Sequence, residues 1–155
     1  MIGKAPDVMS PLSYGSNPYD STVFRFLFRG LIRYNPEEET AGSDLARCDL
    51  SKLEEVVCTL LKDQKWSDGT SIQNRDVIET FRAFESAITE DDMREFLSTT
   101  KIVEKNGSLL FSRKTKDSRI LRLLTYPIFR SDMIERMRTG RISTGSYITS
   151  GQYTL

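Results

Sequence analysis

The residues able to do chemistry in this 155-residue chain are few, and the absences are informative. There is no histidine, which removes every Ser-His and Cys-His nucleophilic arrangement. Two thiols, Cys48 and Cys58, lie in apolar, strand-like stretches. There they serve as small buried hydrophobes, or as a disulfide if the two strands pair in register. A zinc site would need two carboxylates beside them, so no metal and no cofactor is expected. The acidic runs Glu37-Glu38-Glu39 and Glu90-Asp91-Asp92 lack the spacing of a calcium loop and read as solvated charge. No acid pair is spaced in a way that singles it out for general acid–base work, so the chain is not expected to be an enzyme.

Four residues remain as candidate ligand contacts. Arg130 follows Tyr126-Pro127-Ile128-Phe129, and its guanidinium can hold a carboxylate in a bidentate way or sit at the surface. Tyr126 can stack on a ligand or simply pack. Tyr19 and Asp20 follow an Asn-Pro pair, and Asp20 can meet a ligand amine or cap the next helix. Lys65-Trp66-Ser67-Asp68-Gly69-Thr70 gathers the only tryptophan beside an acid and a glycine. A large aromatic before an Asp-Gly turn reads as a corner of the fold. Asp76, just beyond, suits the first turn of a helix, where a carboxylate complements the dipole.

Composition sets the frame for these residues. Apolar content of 38% with 28% charged residues describes a soluble, globular chain of one domain. No apolar run is long enough to span a membrane, and the N-terminus lacks the apolar stretch of a signal peptide. Net charge is zero, so no global field favours nucleic acid or an anionic membrane. The charge is uneven: residues 36 to 105 hold 17 acids and 9 bases, residues 112 to 141 hold 9 bases and 3 acids. The basic part reads as a face paired with the acidic one, or as an anion-binding surface.

The elements that must position the candidates follow from periodicity. Residues 1 to 20, rich in Pro, Ser, Gly and Asn, read as an extended arm, and residues 21 to 155 as a single α+β domain. Ser21 and Thr22 start a helix through Phe24, Leu27, Phe28 and Leu31; the segment after Asn35-Pro36 reads as a polar loop. Leu45 to Leu50 and Glu55 to Leu61 form a hairpin, with Ser51-Lys52 in its turn. Asn74 to Ile88 is the clearest helix, with Val77, Ile78, Phe81, Phe84 and Ile88 on one face. A second helix begins at Thr89-Glu90-Asp91-Asp92 and buries Met93, Phe96 and Leu97. Asn106-Gly107 turns a second hairpin. A short helix follows from Asp117-Ser118, a short basic helix or turn over Asp132 to Arg138, then a loop to Gly151 and a strand start at Gln152.

The order of these pieces resembles the family 5 solute-binding proteins of bacterial ABC importers, which bind dipeptides, oligopeptides and nickel. Leu60 to Thr70 resembles the family's Leu-Arg-Asp-x-x-Lys-Trp-Ser-Asp-Gly-Thr, and Arg75-Asp76-Val77 its Glu-Asp-Val. Ser16-Asn17-Pro18 is similar to Leu-Asp-Pro, and Leu27 to Ile32 to the Phe-Glu-Gly-Leu helix end. Leu45-Ala46 matches a Leu-Ala strand opening, Leu123-Leu124 with Pro127 a cleft-lining segment, and Ser150 to Leu155 the family's Thr-Gly-Pro-Tyr-x-Leu. Departures are Gln73-Asn74 at the helix cap and Gln152 in place of proline. The resemblance implies part of lobe I, subdomain Ib included, of a type II periplasmic binding protein fold, with the second lobe absent. It implies an extracytoplasmic location, periplasmic or on a cell-surface lipoprotein. The expected role is non-catalytic capture of a peptide or similar small solute for an ABC permease, by a monomer. Tyr19, Asp20, Tyr126 and Arg130 then fall near the cleft wall. The rival expectation is a stand-alone interaction module using the basic stretch Arg113 to Arg141.

Overall fold

A computed structural model describes residues 18–138 and 147–151, with side chains over 22–137 and 147–151. Of the arm expected over 1–20, residues 1–17 lie outside the described residues and 18–20 are not extended but open the first helix; the strand expected from Gln152 also lies outside the described residues.

The first helix, α1 (Pro18–Leu27), starts three residues earlier than Ser21. Proline suits that opening position, because its missing N–H has no partner there in any helix. The helix also stops short of Leu31. The carbonyl of Leu27 accepts hydrogen bonds from the amides of Ser150 (3.2 Å) and Gly151 (2.8 Å), so a returning segment ends the helix. Leu31 is buried in a bend beyond the helix, its amide bonded to the carbonyl of Leu124 at 2.9 Å.

The expected polar loop after Asn35 contains a hairpin, β1 (Ile32–Asn35) and β2 (Thr40–Ser43), paired from Ile32 opposite Ser43 to Asn35 opposite Thr40. Every residue of β2 is exposed, so no alternation marks it in the sequence. Asn35 starts the turn by accepting the Glu37 amide on Oδ1, at 3.0 Å.

The remaining strands are β3 (Ala46–Asp49), β4 (Glu55–Leu60), β5 (Lys101–Lys105) and β6 (Ser108–Ser112). They form one antiparallel sheet in the order β3-β4-β6-β5. Asn106 and Gly107 both take positive φ, 52° and 77°, as the tight β5–β6 turn requires. Cys48 lies directly opposite Cys58, and the two are joined as a disulfide with Cα atoms 4.1 Å apart. The expected strand pairing therefore has the register that bonding needs.

Four further helices complete the described elements: α2 (Asn74–Ala87), which packs on the sheet at β5, α3 (Asp91–Ser98), α4 (Arg119–Leu124), which packs on β1, and α5 (Ser131–Arg138), which packs on α2. Val56 and Cys58 of β4, with Leu109 and Phe111 of β6, face the core. Phe81 of α2 meets Phe111 edge-on, 5.8 Å between ring centroids. Phe96 of α3 lies under the Arg113 guanidinium, 4.0 Å from ring centre to cation. One turn further along α2, Phe84 and Phe129 join Phe24 and Phe28 in a second aromatic cluster. The fold is α+β, with two antiparallel sheets and five helices among the described residues.

Candidate functional site

The Trp66 to Thr70 corner brings distant parts of the chain together. Its backbone closes on itself: the Trp66 amide donates to the Thr70 carbonyl (2.8 Å) and the Gly69 amide to the Trp66 carbonyl (2.9 Å). Asp68 Oδ1 accepts from the Thr70 amide at 3.0 Å and from the Thr70 hydroxyl at 2.6 Å. Ser67 fastens the returning segment, donating its amide to the Thr149 carbonyl (2.8 Å) and accepting the Thr149 amide on Oγ (3.0 Å).

Trp66 is 2% exposed, and its indole N–H points at Asp76 Oδ2, 3.2 Å away. Asp76 is itself buried in the first turn of α2. The same Oδ2 accepts the Gln73 amide at 3.0 Å, and Oδ1 accepts the Ser131 amide at 2.9 Å. One carboxylate thus satisfies the open amides at the starts of two helices and the indole between them. At the altered Gln73-Asn74 cap, Asp76 accepts the Gln73 amide from inside the helix. Sequence reasoning placed Asp76 in that first turn and missed its link to α5.

Arg130 sits beside this corner with its side chain 18% exposed. Its Nε and one terminal nitrogen bind the two oxygens of Asp132 at 2.5 and 2.6 Å, and its other terminal nitrogen binds Asp68. Bidentate pairing with Asp132, then Asp68, holds the guanidinium charged above its ordinary range. Asp68 is held down to about 2, first by the Thr70 hydroxyl and amide and then by Arg130. Arg130 keeps Asp132 below the carboxylate range as well. A solute carboxylate reaches this guanidinium only in exchange for one of its two present partners.

Tyr126 is 3% exposed, with its ring edge-on to Phe84 at 5.6 Å. Neighbouring side chains cover its ring. Tyr19 and Asp20 lie in the first turn of α1, and their side chains are outside the described residues. Within the basic stretch three arginines form internal pairs: Arg119 with Asp117 and Glu95, Arg122 with Glu90 and Asp92, Arg113 with Asp117.

A second junction was not foreseen. Arg29 donates to Asp44 Oδ1 (2.6 Å), the Asp44 carbonyl (2.9 Å) and Gln64 Oε1 (2.7 Å). Its amide donates to Ser150 Oγ at 2.9 Å, and its carbonyl accepts the Ile128 amide at 3.0 Å. The signal was present in the sequence: position 29 is Arg where the resembled motif carries Glu, and such a reversal needs an acidic partner. Two glycines make this closeness possible. A Cβ on Gly30 would lie 2.8 Å from the Thr125 carbonyl, and one on Gly151 would lie 2.2 Å from the Phe26 carbonyl oxygen.

No protein-family model and no curated protein matches the chain. Solved structures do. The Escherichia coli murein tripeptide binding protein MppA matches with a TM-score of 0.78 at 17% identity, over 99% of this chain and 34% of its own. A substrate binding protein from Microbacterium hydrocarbonoxydans, complexed with 4-hydroxybenzoate hydrazide, matches with 0.78 at 19% identity, over 98% and 32%. NikZ from Campylobacter jejuni, in complex with Ni(L-His), matches with 0.75 at 20% identity, over 97% and 31%. The chain therefore has the fold of part of these solute-binding proteins. It spans about a third of the length of the structures it matches.

Proposed function

We propose that this chain forms part of lobe I of an extracytoplasmic solute-binding protein serving an ABC importer. The observation that carries this reading is the fold match over nearly the whole chain to several proteins that bind small solutes. Two features support it. The segments that resemble the family's motifs, from Leu27 to Leu31, Trp66 to Thr70 and Ser150 to Gly151, converge on one another here. The Cys48–Cys58 disulfide suits an oxidising compartment outside the cytoplasm.

In this reading the chain performs no bond chemistry and works as a monomer. It presents one wall of a cleft, and closure against a second lobe holds the solute through contacts made only in the closed state. The solutes are peptides or similarly small polar molecules. The wall includes the first turn of α1, with Tyr19 and Asp20, and the Arg130 corner, backed by Tyr126. Arg130 would act by trading Asp68 or Asp132 for a solute carboxylate. The rival interaction module loses ground, because Arg113, Arg119, Arg122 and Arg130 already pair within the chain.

The test is the open reading frame that encodes this chain, with its neighbours. A longer frame that opens with an export signal and lies beside permease and ATPase genes is the expected result. A frame that stops at Leu155, with no transporter genes nearby, overturns the proposal.

A further inference from the structure

We propose that the groove between the end of α1, strand β1 and the end of α4 is a binding site for a small organic oxyanion. This inference does not rest on the transporter reading. The groove has a volume of about 600 Å³, within the range of small-molecule sites. Four arginines line it, Arg25, Arg29, Arg33 and Arg122, against one carboxylate, Asp44. The half-buried Tyr34 and the exposed Pro36 complete a wall on which a carbon skeleton can lie.

Arg25 is engaged in an interaction of its own, so the positive charge left over in the groove is that of Arg33. Arg122 is met by Glu90 and Asp92. Asp44 Oδ1 is taken by Arg29 Nε at 2.6 Å, and Arg33 Nε stands 4.0 Å from the same oxygen. One carboxylate oxygen therefore faces two guanidinium groups and satisfies only the nearer. Arg33 has its side chain 77% exposed and no closer acidic partner among the described residues. A smaller groove of about 470 Å³ shares Arg25, Arg29, Arg33 and Asp44 and continues past Ser150. A carboxylate or phosphate entering there meets the planar donor fork of Arg33 beside a second, fixed guanidinium. Arg29 is anchored by Asp44 and Gln64, so it supplies charge without having to be ordered on binding.

The test is a ¹H–¹⁵N titration of the chain at low ionic strength with succinate, and separately with inorganic phosphate. Saturable shifts confined to the amides around Gly30, Arg33 and Asp44 are expected with at least one of them. Tighter binding of succinate assigns a carboxylate ligand, and tighter binding of phosphate a phosphorylated one. Arg33→Gln is expected to weaken binding roughly ten-fold, the loss of one charge-assisted hydrogen bond. Arg82→Gln, on the exposed face of α2, is the control for general charge and is expected to leave it unchanged. Arg33 is exposed, so its replacement leaves the fold intact, which the variant's own spectrum verifies. Absence of saturation with both anions overturns the proposal, as does equal weakening by the two variants.

Discussion

Asp76 carries more of this molecule than its place in one helix suggests. It is buried and accepts from an indole, from its own helix start and from Ser131, 55 residues away. Asp76→Ala would leave three buried or half-buried donors without an acceptor. We expect a loss of ~2–4 kcal/mol in unfolding free energy by urea denaturation. Asp68 behaves differently because it is partly exposed and lowered to about 2 by Thr70 and Arg130. A carboxyl depressed in the folded state contributes stability above its unfolded value near 3.8, and that contribution fades as pH falls toward 2. The urea midpoints of the wild type and Asp68→Asn should differ at pH 5 and converge by about pH 2. A constant gap across that range would remove Asp68 from the account. Trp66 and the turn were legible from residue type alone. The partners of Asp76 and Arg29 were not, because hydrogen bonds between segments 55 or 121 residues apart leave no local periodicity.

At the scale of elements, what could be read depended on whether an element buries one face. Helix α2 buries Val77, Phe81 and Phe84 at helical spacing, and its ends match the pattern closely. The β5–β6 hairpin announces itself through Asn106-Gly107. By contrast, β2 buries nothing, and its hairpin with β1 is held by backbone pairing that any polar sequence permits. The end of α1 is set from outside, by Ser150 and Gly151 on the Leu27 carbonyl. Gly151→Ala is expected to disrupt that junction, since its Cβ would fall 2.2 Å from a backbone oxygen that cannot move aside. Faster amide exchange at Arg29 and Ser67 would report the loss. Strand β3, at the sheet edge, is pinned by the Cys48–Cys58 bond, which closes a loop with a sequence separation of 10. Replacing both cysteines by serine should cost about 3 kcal/mol on the chain-entropy account, read as a lower thermal midpoint. An unchanged midpoint would make the bond dispensable.

For the whole molecule, the motif segments matter through convergence more than through any reactive group. The returning segment at 147–151, the end of α1 and the Trp66 corner form one knot, and the guanidinium groups of Arg29 and Arg130 tie its two sides. In the proposed reading this knot is one wall of a cleft, and the solved structures that share the fold are about three times as long. A wall of this kind holds a solute firmly only when something closes over it. The central claim is therefore best tested by calorimetric titration with a mixed tripeptide pool. The reading frame encoding this chain, expressed from its own start to its own stop, is compared with residues 1–155 alone. The account predicts micromolar binding by the full product and binding at least about a hundred-fold weaker by residues 1–155, a deficit of ~3 kcal/mol. Equal, micromolar binding by residues 1–155 alone would contradict it.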